Sequence, residues 1–273
     1  MMLSLVIPAH NEEGSIEETV LSFYRKLKSE QIPHEIVVVN DNSSDKTVSL
    51  LEKLMLQIPS LRLVHNRPPN GFGHAVRCGL REVKGDCISI VMADLSDSPE
   101  DLVSFYREMQ KGYDCVFGSR FMKQSKVVDY PAHKLFLNRL VNTMIRLLFQ
   151  IQYNDVTNAF KMYRRHVIEN LNPLLSHHFN LTVELPLKAI IRGYNYKVVP
   201  NDWYNRKSGV SKLKIKEMGS RYLFIILYCL LEKWLSRGDY LPSKKENQSV
   251  PSIPFLRQEN LTEQENRQNT HSR

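Results

Sequence analysis

Five short apolar runs, the first four each followed by a segment of helical period or a helix-start signal, constrain this chain more than any other feature. They occupy residues 3–7, 35–39, 61–65, 87–92 and 113–118. The second, Glu-Ile-Val-Val-Val, is a near-continuous β-branched run of the kind buried on both faces of a parallel sheet. After the first, Ile16, Val20, Phe23, Tyr24 and Leu27 recur at helical spacing behind Ser15, with Glu18 placed as a capping box requires. Residues 45–56 and 71–83 also read as helices. Ser98-Pro99-Glu100-Asp101 is a helix start, with an N-cap serine, proline at the first helical position and two acids facing the positive end of the helix dipole. This alternation predicts an α/β chain with a mostly parallel central sheet and helices on both faces.

The texture changes after residue 125. Residues 135–151 are broadly apolar but interrupted by Arg139 and Arg146, 179–183 look strand-like, and 197–200 read as a late strand. Residues 206–216 carry five cations and no acid, and 222–231 are uncharged and mostly apolar. Ten such residues are too few to cross a bilayer, which needs about 20. With Lys214, Lys216 and Arg221 before it and Trp234 after it, the segment reads as an amphipathic interfacial helix, or as a helix packed on the core or a second subunit. The expected organisation is a catalytic domain over 1–213, this helical segment over 214–235, and a disordered polar tail over 236–273.

Net charge is +8, which asks for an anionic partner: nucleic acid, a membrane surface or a phosphorylated substrate. Four cysteines without a C-x-x-C pair argue against a zinc site and for reduced thiols. No basic stretch precedes the first apolar run, so no signal peptide is read and a cytoplasmic location is expected.

In open α/β sheets ligands bind beyond the carboxyl ends of the strands. The residues there are Pro8-Ala9-His10-Asn11-Glu12, Asn40-Asp41 through Asp45, Ala93-Asp94-Leu95-Ser96-Asp97 and Gly118-Ser119-Arg120. Three of these four loops carry acids and the fourth a cation. An acidic edge repels nucleic-acid phosphates unless a metal is present, so nucleic acid is not expected as a partner.

The strings V-I-P-A-H-N-E-E (6–13), V-V-N-D-N-S-S-D-K-T (38–47), M-A-D-L-S-D-S-P-E (92–100), G-S-R-F (118–121), D-V-T-N-A-F-K (155–161) and R-K-S-G-V-S-K-L (206–213), in this order, resemble glycosyltransferase family 2, in its dolichol-phosphate mannose synthase-like branch. The resemblance runs from residue 3 to about 234. It implies an A-type glycosyltransferase fold, which is Rossmann-like, with the C-terminal amphipathic helix appended. It also implies an inverting hexosyltransferase of cell-envelope glycan synthesis. Such an enzyme takes a GDP- or UDP-sugar donor, a polyprenyl-phosphate acceptor and Mg²⁺ or Mn²⁺.

The resemblance places Pro8, His10 and Glu12 along the nucleotide base and ribose, and Asp41 beside them. Asp45 suits a helix-capping role, which leaves Asp41 for the ligand. Gly71, Gly73 and Ala93 would let the backbone approach the donor, with an ordinary turn as the other reading of the glycine pair. Asp94 would hold the metal against the diphosphate. The family pattern there is D-x-D, but its first position is Met92, so Asp97 or Ser96 is expected to assist. Arg120, Arg206 and Lys212 would face the phosphates. Asp155 and Thr157 would lie near sugar and acceptor, with a structural role also open to Asp155. His177 and His178 read as surface histidines.

A polyprenyl phosphate already presents an anionic nucleophile, whereas a hydroxyl acceptor generally needs a base. The expected setting is the cytoplasmic face of an anionic membrane, with the protein peripherally bound and a homo-oligomer compatible with the sequence. Two alternatives stand beside it: a family 2 transferase for a glycan or other hydroxyl acceptor, and a non-catalytic nucleotide-sugar-binding protein, raised by Met92.

Overall fold

A computed structural model describes residues 1–205 and 215–240. The order is β1 (Leu3–Ala9), α1 (Ile16–Ser29), β2 (His34–Asn40), α2 (Thr47–Met55), β3 (Leu61–His65), α3 (Phe72–Glu82), β4 (Cys87–Ile90), α4 (Pro99–Gln110) and β5 (Cys115–Ser119). It continues with β6 (Val127–Val128), α5 (Ala132–Phe149), β7 (Lys161–Arg164), α6 (Arg165–Asn170), α7 (Leu181–Ile191), β8 (Tyr196–Pro200), β9 (Trp203–Tyr204) and α8 (Ile215–Leu235). The five runs expected as strands are β1 to β5. Seven strands form one sheet in the order β3-β2-β1-β4-β7-β5-β8, parallel except for β7; β6 and β9 pair separately.

Strand alternation sorts the core into two layers. Leu3, Leu5 and Ile7 of β1, with Ile36 and Val38 of β2, pack under α1, α2 and α4. Val6, Val37 and Val39 face the other way, toward α3, α7 and α8. This period of two on a sheet covered on both faces is what the β-branched run of β2 encodes.

The antiparallel β7 was not legible in sequence, and it matters most for the site. Its first residue, Lys161, lies opposite Ile90 near the end of β4 and Phe117 of β5. Because β7 runs backward, the 155–160 loop before it arrives at the same sheet edge as the loops that follow β1, β2, β4 and β5.

Two local expectations change. Ser15 precedes α1, but its side chain makes no cap bond to the helix; its Oγ donates to Glu12 Oε2 at 3.2 Å, so the capping box does not form. The 179–183 stretch is not a strand: residues 181–183 begin α7, which is buried on all sides with Glu184 and Lys188 paired to each other, so its apolar residues show no one-sided period to separate it from a buried strand. The helix expected over 214–235 is α8, and it has two faces. Ile225, Ile226, Cys229 and Leu230 are buried, and Arg192 at the end of α7 forks onto Glu232 with bonds of 2.7 and 3.1 Å. Its other face is exposed. The Ser98 start of α4 forms as expected, accepting from the Asp101 N–H at 3.4 Å with Pro99 at the first position. Of the tail expected over 236–273, residues 241–273 lie outside the described residues.

Candidate functional site

The loops after β1 and β2 are laced together. Asn11 N–H donates to Ser43 Oγ at 3.0 Å, Ser44 N–H to Asn11 Oδ1 at 2.8 Å, Glu12 N–H to Thr47 Oγ1 at 2.9 Å and Glu13 N–H to Asp45 Oδ2 at 3.0 Å. Asn11 and Asn42 both adopt positive φ, a conformation that asparagine tolerates better than most residues. Asp45 Oδ1 accepts from the Thr47 N–H at 3.0 Å, the capping role expected of it. Partial burial opposes its charge, but the bonds from Thr47 and Glu13 outweigh that and hold its carboxyl below the usual range. Pro8, His10 and Glu12 are half-buried at this edge, and His10 Nδ1 donates to the Asp41 carbonyl at 2.7 Å.

Asp41 is placed here too, and each of its carboxylate oxygens already accepts one bond. Oδ1 accepts from Asn66 Nδ2 at 2.7 Å and Oδ2 from the Gly71 N–H at 2.8 Å, so Asp41 ties the loop after β3 to the start of α3. Gly71 sits at φ +138°, open to glycine and rare for other residues. Gly73 is needed for a close approach, and the approaching group is protein backbone. A Cβ there would lie 2.7 Å from the His178 nitrogen and 2.8 Å from the His177 carbonyl oxygen.

His177 is exposed and His178 half-buried, as expected of surface histidines, and both pack against α3. His74 of α3 stacks on His177 at 4.6 Å and meets His178 edge-on at 6.5 Å, while Phe72 stacks on Phe179 at 4.4 Å. Burial, and then the neighbouring His177, Arg77 and His178, push the His74 imidazole down. Gly73→Ala is expected to force the 177–178 backbone away from α3 and to cost about 1–3 kcal/mol, as overpacking does. Urea unfolding would measure it, and a wild-type midpoint would disprove the contact.

After β4, Ala93, Asp94, Ser96 and Asp97 are all buried or nearly so. Leu95 between them sits at φ +63°, uncommon for a residue with a Cβ and a strain of the type found at functional sites. Asp94 Oδ1 accepts from the Ser96 N–H at 3.2 Å, and Asp97 Oδ2 accepts from the Met92 N–H at 2.8 Å. Burial pushes the Asp97 carboxyl up to about 7; the Met92 N–H opposes this and the Asp94 carboxylate adds to it. Two carboxylates and a hydroxyl within four residues of one buried loop are hard-oxygen donors of the kind that Mg²⁺ or Mn²⁺ takes. Among the described residues no three acidic, His or Cys side chains converge on one point.

Arg120, after β5, is 8% exposed, and its partner is Asp155, which is 0% exposed. Asp155 accepts from Arg120 Nε at 2.8 Å, from Nη2 at 2.7 Å and from the Arg120 N–H at 2.9 Å. Burial works against the guanidinium charge, but Asp155 more than compensates and holds it further up than an ordinary arginine. The sequence set Arg120 against phosphate and Asp155 near the sugar. The structure puts each on the other, because a buried guanidinium needs a fork-matched carboxylate. Thr157 Oγ1 lies 3.5 Å from Arg120 Nη2.

Three side chains that the sequence did not single out hold this unit. Lys161 is 1% exposed; its Nζ donates to the carbonyls of Val156 at 3.0 Å and Thr182 at 3.1 Å, and to that of Asn158. Burial drives its ammonium down to about 7, against the pull of Asp155. Asn138 and Asn142 of α5 bond Thr157. Two amides four residues apart, on one face of a broadly apolar helix, were the available signal. Arg206 and Lys212 lie outside the described residues.

With this geometry in place, comparison with known proteins becomes specific. Residues 4–171 match the model for glycosyl transferase family 2. The chain is 30% identical over 222 residues to a dolichol-phosphate mannosyltransferase of Pyrococcus furiosus, covering 79% of this chain and 60% of that protein's length. It is also 30% identical over 217 residues to a polyprenol monophosphomannose synthase of Mycolicibacterium smegmatis, covering 77% of this chain and 80% of that one. The fold matches that of glucosyl-3-phosphoglycerate synthase from Mycobacterium tuberculosis, solved with Mn²⁺, uridine diphosphate and glucosyl-3-phosphoglycerate. The TM-score is 0.63 at 17% identity, over 89% of this chain and 81% of that one. The sheet, its strand-end loops and the matched span agree: the chain belongs to glycosyl transferase family 2 and has the A-type glycosyltransferase fold.

Proposed function

We propose that this protein moves a hexose, with inversion, from a GDP- or UDP-sugar to a polyprenyl phosphate at the cytoplasmic face of a membrane, where it binds peripherally. The names of the two relatives support this acceptor class. The observation that carries it is a pair of matching apolar stripes. On α5 the exposed residues are Phe136, Leu137, Leu140, Met144, Leu147 and Leu148; on α8 they are Leu223, Phe224, Leu227, Leu231, Trp234 and Leu235. Each set has the same spacing, so each covers one side of its helix. Exposed Arg139 and Arg146 accompany the first stripe, as an anionic lipid surface favours. Among the described residues no helix is long and apolar enough to cross a membrane, which suits helices lying in the interface.

In this reading an acceptor phosphate oxygen bonds to the anomeric carbon as the bond to the donor diphosphate breaks, and the electron pair leaves with the diphosphate. The nucleophile is already anionic, so no side chain need take a proton. The His166–Asp114 pair, 3.4 Å apart, sits at the opposite end of the strands and is not placed to act as a base. The His10–Glu12 loop would receive the nucleoside, with Asp41 bracing the backbone around it. Asp94, with Asp97 or Ser96, would hold Mg²⁺ or Mn²⁺, which when bound offsets the charge of the leaving diphosphate. Arg206 and Lys212 are assigned to the phosphates on sequence grounds.

The test is incubation with Mn²⁺, labelled nucleotide sugars and polyprenyl phosphate in anionic vesicles. Label is expected in the lipid phase, with the protein sedimenting on the vesicles. Label confined to soluble glycans would defeat the acceptor assignment. Donor binding without turnover across a full panel would favour a non-catalytic binding protein.

A further inference from the structure

Helix α5 has a second face, and it reaches the centre of the site. Asn142 is 1% exposed and stands four residues from Asn138. Thr157 Oγ1 accepts from Asn142 Nδ2 at 3.0 Å and donates to Asn138 Oδ1 at 3.0 Å, and the Thr157 N–H donates to Asn142 Oδ1 at 3.2 Å. The two amides are joined at 2.6 Å, and Asn138 Nδ2 donates to Tyr130 Oη at 3.2 Å. Both ends of this lattice touch Arg120: Thr157 Oγ1 lies 3.5 Å from Nη2, and the Tyr130 ring lies 5.9 Å from the guanidinium carbon. A buried arginine has five N–H donors and one planar fork, so small rotations exchange partners. Asp155 fixes the fork from one side. On the other side stand Thr157 and the rings of Phe121, at 5.5 Å, and Tyr130, and α5 holds Thr157 and Tyr130.

We infer that Asn142, together with Asn138, is a positioning residue that acts through Thr157 to set the orientation of the Arg120–Asp155 unit. The inference rests on the proposed function together with the family resemblance, which sets Arg120 against the phosphates and Asp155 near sugar and acceptor. Neither asparagine is placed to touch substrate. A packing role alone would be met by any side chain of the same volume. A positioning role needs the amide, because Thr157 uses it as both donor and acceptor.

The test is a double-mutant cycle of Asn142→Leu and Thr157→Val, two changes close in size that remove the amide and the hydroxyl. The first readout is the rate at which phenylglyoxal modifies Arg120, mapped by peptide mass spectrometry against exposed Arg139. Arg120 should be protected in the wild type. It should react about tenfold faster in either single variant and no faster in the double variant, as for residues acting through one path. The second readout is turnover: kcat should fall about 100-fold, as for a misplaced catalytic group, with donor KM within about twofold. Thr157→Ser should restore both.

Unchanged Arg120 protection in folded Asn142→Leu, or additive effects in the double variant, would overturn the inference. Should Asn142→Leu not fold, Thr157→Val alone decides it by the same labelling. Wild-type protein that moves no sugar to polyprenyl phosphate would count against the proposed function, while the labelling result still decides the role of Asn142.

Discussion

Asp155→Asn is expected to lower the melting temperature by about 10 °C and to abolish sugar transfer. The thermal part follows from leaving a guanidinium buried without its counter-charge, which costs about 3–5 kcal/mol, at about 2–4 °C per kcal/mol for a chain of this size. Arg120 is 8% exposed and cannot turn to water without unpacking Phe121 and Tyr130, whose rings lie 5.5 and 5.9 Å from it. The asparagine keeps one acceptor oxygen but not the fork. Replacing both members, as Arg120→Met with Asp155→Leu, removes the uncompensated charge and should recover most of the stability, as buried ion pairs often allow. It should not recover transfer. The pair of measurements separates two roles that one variant confounds. Wild-type melting in Asp155→Asn would mean the ion pair holds nothing. Transfer by the double variant would remove Arg120 from the reaction.

That ion pair also marks where sequence reading reached its limit. The five apolar runs became β1 to β5 because each carries a period that only a covered sheet satisfies, and the loops after four of them lie at the edge where ligands bind. Local chemistry was legible at Ser98, Pro99 and Asp45, whose partners lie two or three residues away. The partner of Arg120 lies 35 residues on, and what brings it there is the reversal of β7. Four residues of mixed character, Lys-Met-Tyr-Arg, announce neither a strand nor its direction. Asp41 and Gly73 show a related limit. Their sequence suggests a ligand or a turn but not their partners Asn66, Gly71 and the 177–178 backbone, because each of those contacts crosses between elements. The stripe on α5 was missed because its cations and amides break the apolar run in sequence, although they sit on other faces of the helix.

Asp94→Asn is expected to cut metal-dependent transfer by about 100- to 1000-fold, the several kcal/mol that a metal contributes at a tenfold change per 1.4 kcal/mol. The fold should survive, since asparagine retains an oxygen for the Ser96 N–H, now accepted by Asp94 Oδ1 at 3.2 Å, and leaves the strained Leu95 turn closed. The direct readout is ligand-linked stability. Wild-type protein should melt higher with Mn²⁺ and nucleoside diphosphate together, because a ligand that binds only the native state stabilises it, and the variant should lose that shift. Asp97→Asn should do less, because Asp97 Oδ2 is already occupied by the Met92 N–H. Removing the Asp94 charge also takes away one of the three influences that raise the Asp97 carboxyl, beside burial and the Asp101 charge, so Asp97 in Asp94→Asn should ionise at lower pH than in the wild type. A residual metal shift that grows as pH rises toward 7 would then belong to Asp97. A full shift in Asp94→Asn would instead put the metal elsewhere. Met92 gives the comparison its force: with no carboxylate at that position, Asp94 has one acidic neighbour in the loop's buried part, and the two single variants divide the loop's ligands between them.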